Sequence, residues 1–137
     1  MIKIKKILAR VMATSFAVAG ATAFAGDIVA IGNPTAPALS KDQLVDLYVG
    51  RNQSLTLLDL PESSATRTDY YKKLTGKDPA QIKSMWSRLT FTGKGVPPKE
   101  LSDGAAVKKA VAADPKTIGY IDKSEVDGTV KVLQTIN

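Results

Sequence analysis

Four short apolar runs alternating with helix-capping signals set the fold class of this chain. Residues 27–32 (DIVAIG) are closed by Asn33-Pro34, and residues 55–60 (LTLLDL) by Pro61. Residues 117–122 (TIGYID) and 129–133 (TVKVL) follow the last helical pattern. Runs of this length bounded by Pro, Asn and Asp read as strands.

Between them lie four helix patterns. Ser40 with Gln43 three residues on forms a capping box, and Leu44, Leu47 and Tyr48 make an apolar face that Gly50 ends. A second helix is expected from Ser63 or Ser64 through Tyr70, Tyr71 and Leu74 to Gly76. Asp78-Pro79 with Gln81 starts a third, in which Ile82, Met85, Trp86 and Leu89 form one stripe at i, i+3, i+4 and i+7. Residues 92–98 read as loop, and Ser102 or Asp103 caps a fourth helix that buries Val107, Ala110 and Val111 before Asp114-Pro115 stops it. Strands alternating with capped helices predict an α/β layer fold, a mixed, partly parallel sheet flanked by helices. Ligands in such folds gather where strand ends meet helix starts.

The N-terminus divides the chain. Lys3, Lys5, Lys6 and Arg10 open it without an acidic residue, and residues 11–25 carry no charge. Ala23-Phe24-Ala25 is a small-x-small cleavage pattern, so residues 1–25 read as a secretory signal and residues 26–137 as one domain. The expected location is the periplasm, with contact to the membrane only through the export signal. The uncharged stretch is too short to span about 30 Å of hydrocarbon comfortably.

Charge and composition then exclude several functions. The whole chain carries 19 basic and 13 acidic residues, a net +6. Removing the four basic residues of the leader leaves 15 against 13, a net +2. A nucleic-acid partner is not expected of so balanced a domain. There is no Cys and no His. Disulfides, thiol nucleophiles and Ser-His-Asp triads are thereby excluded, and a zinc site is not expected. The reading is a protein without catalytic residues, cofactor or metal, held together by its core alone.

Two junctions can carry binding chemistry. Residues 59–67 (DLPESSATR) run from a strand into a helix start rich in hydroxyls. Unpaired N–H groups and the positive end of the helix dipole can hold an anion there. Ser63, Ser64 and Thr66 can add hydroxyl donors, Arg67 a forked charge-assisted pair, and Ala65 lets a ligand approach the backbone. The same residues also read as ordinary capping followed by a solvated first-turn Arg. Residues 92–95 (TGKG) can form a backbone anion nest around Lys94, or simply a flexible turn.

The order of these segments resembles a known family. An apolar strand and Asn-Pro precede LSKDQLVDLYVG (39–50), PESSATR (61–67), GKG (93–95), DG (103–104) and TIGYID (117–122). That order resembles the phosphate-binding proteins of ABC transporters, over residues 27–133. The resemblance implies a periplasmic binding protein that closes two α/β lobes on an oxyanion, of which this chain matches one lobe of the type II form. It also implies that Glu62, Ser63, Ser64, Ala65 and Thr66 match the family's Asp-Gly-Ser-Gly-Thr-like ligand segment, with Ser64 and Thr66 as donors. Two positions depart from that pattern: Ala65 stands where the family has Gly, and the Arg expected before the segment is missing, for which Arg67 can substitute from within the helix.

The expected function is therefore binding of inorganic phosphate or a similar oxyanion for transport or sensing. Its site would comprise Glu62, Ser63, Ser64, Thr66, Arg67 and Lys94, and its partner an ABC permease or another periplasmic or membrane protein. The alternative is an interaction or sensory module that kept the lobe and lost the ligand.

Overall fold

The computed structural model describes residues 27–137, and the expected leader lies outside the described residues. The elements are β1 (Ile28–Gly32), α1 (Lys41–Tyr48), β2 (Thr56–Asp59), α2 (Ala65–Thr75), α3 (Pro79–Phe91), β3 (Lys99–Glu100), α4 (Gly104–Ala113), β4 (Thr117–Asp122) and β5 (Lys131–Ile136). A single turn of 3-10 helix, Lys123–Glu125, follows β4.

The five strands form one sheet in the order β3-β2-β4-β1-β5. Its two halves differ in direction. β2 runs parallel to both β3 and β4, whereas β1 is antiparallel to β4 and β5. The mixed, partly parallel sheet expected from the alternating pattern is present, and the crossover from β2 to β4 carries α2, α3 and α4.

Cap chemistry places the helices where the sequence puts them. Ser40 and Gln43 close a reciprocal capping box on α1, and Asp78 and Gln81 close another on α3 with Pro79 in the first turn. Ser64 caps α2, Gly76 ends it in the left-handed region, and Asp103 rather than Ser102 caps α4. Trp86 is buried and donates its indole N–H to the carbonyl of Tyr48, 2.8 Å away, so the α3 stripe locks onto the end of α1.

Two strand boundaries differ from expectation. β3 falls immediately after the segment read as loop; it is two exposed charged residues paired with Leu58 and Asp59, and so carries no apolar alternation to betray it. β5 begins at Lys131 instead of Thr129, because the Asp127 carboxylate accepts the backbone N–H of Thr129 and holds that residue in a turn. Lys108 is half-buried and ties this turn to α4, donating to the Glu125 carbonyl and pairing with Asp127 at 2.9 Å.

All four tyrosines of the chain are buried against one another. Tyr70 stacks on Tyr120 with ring centroids 3.8 Å apart, and Tyr48 and Tyr71 meet this pair edge-on. The cluster sits where α1, α2, β2 and β4 converge.

Candidate functional site

The start of α2 is built by a sharp exit from β2. Pro61 ends the strand, the N–H of Ser64 donates to the Pro61 carbonyl at 2.9 Å, and the Ser64 hydroxyl accepts the N–H of Arg67 at 3.2 Å. That satisfies one first-turn donor; the N–H groups of Ala65 and Thr66 have no partner within the helix. The first turn holds no acidic residue to neutralise the helix dipole. Ser63 and Ala65 are exposed, and Ser64 and Thr66 are half-buried. The Thr66 hydroxyl lies 3.5 Å from a carboxylate oxygen of Asp122, at the end of β4. This junction thus has the donors an oxyanion needs, with one carboxylate beside them.

Arg67 turns the other way. It is 6% exposed, and its Nη1 donates to the Leu60 carbonyl at 2.8 Å and to Glu100 at 3.1 Å. Its Nε lies 3.7 Å from Asp59, which is also buried. The solvated first-turn charge that the sequence also permitted is therefore absent: Arg67 is a core cation on the inner side of α2.

Asp59 is the hub of that core. Tyr71 donates to one of its carboxylate oxygens at 2.7 Å, while Tyr120 and the N–H of Leu60 donate to the other. Burial raises the Asp59 pKa from its ordinary range, against the lowering effect of the two phenols and the Arg67 charge. For Arg67, burial disfavours the charge, but Asp59 and then Glu100 outweigh it and raise the pKa. The guanidinium also lies 5.9 Å from the centroid of the Tyr71 ring.

The remaining expected residues lie around this junction in different ways. Glu62 pairs with Lys83 at 3.0 Å on the surface, and that bond lowers its pKa. Lys94 follows α3, where its N–H donates to the Leu89 carbonyl and its own carbonyl accepts from Gln53. These bonds tie Lys94 to the end of α3 and to the turn after α1; none joins it to Ser63, Ser64, Thr66 or Arg67. Ser63, Ser64 and Thr66 therefore share one helix start, Arg67 sits behind it, and Lys94 belongs to another segment.

Sequence reasoning missed Asp59, Glu100 and Asp122. For Asp59 a signal existed. A carboxylate inside an otherwise apolar strand must be buried with partners, and Arg67 was the nearest cation following it. Glu100 and Asp122 carry no such mark. Among the described residues, no three acidic side chains converge as a metal site, and no helix is long and apolar enough to cross a membrane.

Solved structures share this architecture. An ABC-type phosphate transport receptor from Vibrio cholerae superposes with a TM-score of 0.60 at 17% identity, over 80% of this chain and 46% of its own. A phosphate ABC transporter substrate-binding protein from Clostridium perfringens, solved with bound phosphate, gives 0.63 at 19% identity, over 80% of this chain and 44% of its own. The described residues share the mixed α/β fold of part of these substrate-binding receptors. PstS from Borrelia burgdorferi gives 0.53 at 15% identity, over 82% and 49%. The chain thus spans less than half the length of the solved proteins it matches. No family model and no curated protein matches it.

Proposed function

We propose that this chain is an exported solute-binding module that holds inorganic phosphate or a similar oxyanion at the start of α2. The observation that carries this reading is a hydroxyl-lined helix start with no acidic first-turn residue, placed at the C-terminal end of a parallel strand. Ser63, Ser64 and Thr66 supply hydroxyl donors, joined by the N–H groups of Ala65 and Thr66. Arg67 acts from behind, fixing the helix start on Asp59. Glu62, paired with Lys83, modulates the charge around the entrance. No bond is made or broken, so the role is carriage or sensing, with delivery to an ABC permease at the membrane. The leader, residues 1–25, is removed on export, which places the domain in the periplasm.

Calorimetric titration of the folded protein with phosphate, sulfate and molybdate tests this directly. Saturable heat with phosphate that weakens in Ser64→Ala supports it; no heat at millimolar ligand overturns it.

One observation favours a second reading, an interaction or sensory module that lost its ligand. Asp122 places a carboxylate beside Thr66, where it repels a fully ionised oxyanion. A periplasmic partner retained equally with and without phosphate supports that reading.

A further inference from the structure

A cavity on the inner side of α2 lies apart from the hydroxyls of the helix start and shares only Arg67 with the proposed anion site. It has a volume of about 490 Å³ and lies between α3 and residues 97–100. Ile82, Trp86, Phe91, Pro97 and Pro98 form apolar walls. Phe91, at the last position of α3, is 92% exposed. Such exposure of a large aromatic ring beside an apolar hollow is a mark of a binding surface.

The polar side of the cavity is formed by Asp59, Arg67 and Glu100. Both hydrogen bonds of the Arg67 guanidinium leave from Nη1, and its buried Nε has no hydrogen-bond partner among the described residues. Glu100 accepts from Arg67 through Oε2, and its half-exposed carboxylate keeps Oε1 for another donor. Nε is closed off against Asp59, which leaves Nη2, without a hydrogen bond among the described residues, as the guanidinium donor next to an unfilled carboxylate oxygen. Lys83, at the rim, is already held by Glu62.

We propose that this cavity binds a small, uncharged aromatic molecule carrying an amide. The ring packs between Trp86, Phe91 and the Pro97-Pro98 pair. The amide carbonyl accepts from Arg67 Nη2, and the amide N–H donates to Glu100 Oε1. Charge selects against the alternatives. A carboxylate ligand meets Asp59 and Glu100, which already share the one guanidinium, and an ammonium ligand meets Arg67.

The chain contains one tryptophan, and it lines this cavity, so its fluorescence reports occupancy without a label. Benzamide, benzoate and benzylamine, similar in size and different in charge, are the probes. Benzamide is expected to change the Trp86 emission saturably, with benzoate and benzylamine at least about tenfold weaker. Phe91→Ser, at an exposed position that folding does not need, is expected to weaken benzamide at least about fivefold. Glu100→Gln, which keeps an oxygen acceptor but removes the charge, is expected to narrow the gap between benzamide and benzoate. Absence of a saturable change with benzamide, an equal or tighter response to benzoate, or an unchanged affinity in Phe91→Ser would each overturn the assignment. Phosphate binding at the α2 start is read by calorimetry and does not enter this result.

Discussion

The Nε of Arg67 stands 3.7 Å from Oδ1 of Asp59, with both side chains almost closed to solvent. This pair joins the end of β2 to the first turn of α2, and so fixes the junction at which ligand chemistry is expected. Two phenols and a backbone N–H complete the Asp59 shell. Removing one partner of a buried pair leaves the other charged without compensation. Arg67→Met is therefore predicted to cost about 3 kcal/mol or more in urea unfolding. Glu100→Gln removes only a half-exposed partner and is predicted to cost under about 1 kcal/mol. Equal losses in the two variants would contradict the role assigned to Asp59.

The tyrosine cluster predicts an unusual alkaline titration. Burial is the leading cause that raises the pKa of Tyr48, Tyr70, Tyr71 and Tyr120, followed by Asp59 or by neighbouring phenols. The unfolded chain ionises its tyrosines near about pH 10, where the folded chain still holds those protons. Their contribution to stability is thus fully present below that pH and is lost progressively as pH rises above it towards the raised folded values. Tyrosinate absorbance should stay flat while the fold persists, then appear for all four rings in one step with unfolding. A tyrosine titrating near pH 10 in the folded protein would contradict the buried cluster.

Two glycines separate backbone strain from packing. Gly50 and Gly76 both hold positive φ, at 85° and 75°. A Cβ at Gly76 meets nothing within 4 Å, while one at Gly50 collides with Leu89 Cδ1. Gly76→Ala is predicted to cost about 1 to 2 kcal/mol from the left-handed conformation alone. Gly50→Ala should cost more than Gly76→Ala, since the half-buried Leu89 side chain must also turn away beside Trp86. Thermal unfolding of the two variants side by side measures the difference.

The fold was largely legible because its signals are local. Ser40 with Gln43, Asp78 with Gln81, and the stripe through Trp86 each specify an element from residues within a turn or two. β3 was not legible, since Lys99 and Glu100 are held by Leu58 and Asp59 across the sheet rather than by any pattern of their own. The hydroxyls at the α2 start were visible in the sequence, but the direction of Arg67 was not. That direction depends on a carboxylate in β2 and two phenols in α2 and β4, which come together only in the folded sheet. Asp122 beside Thr66 is likewise a contact between distant segments.

The central claim, that the α2 start holds an oxyanion, is tested most directly by following backbone amide resonances during a phosphate titration. The account predicts saturable shifts concentrated at residues 63–68, with a Kd of about 1 mM or tighter, and at least a severalfold loss in Ser64→Ala. Amides around residues 63–68 that remain unmoved at saturating phosphate, in a protein that is folded throughout, would contradict it.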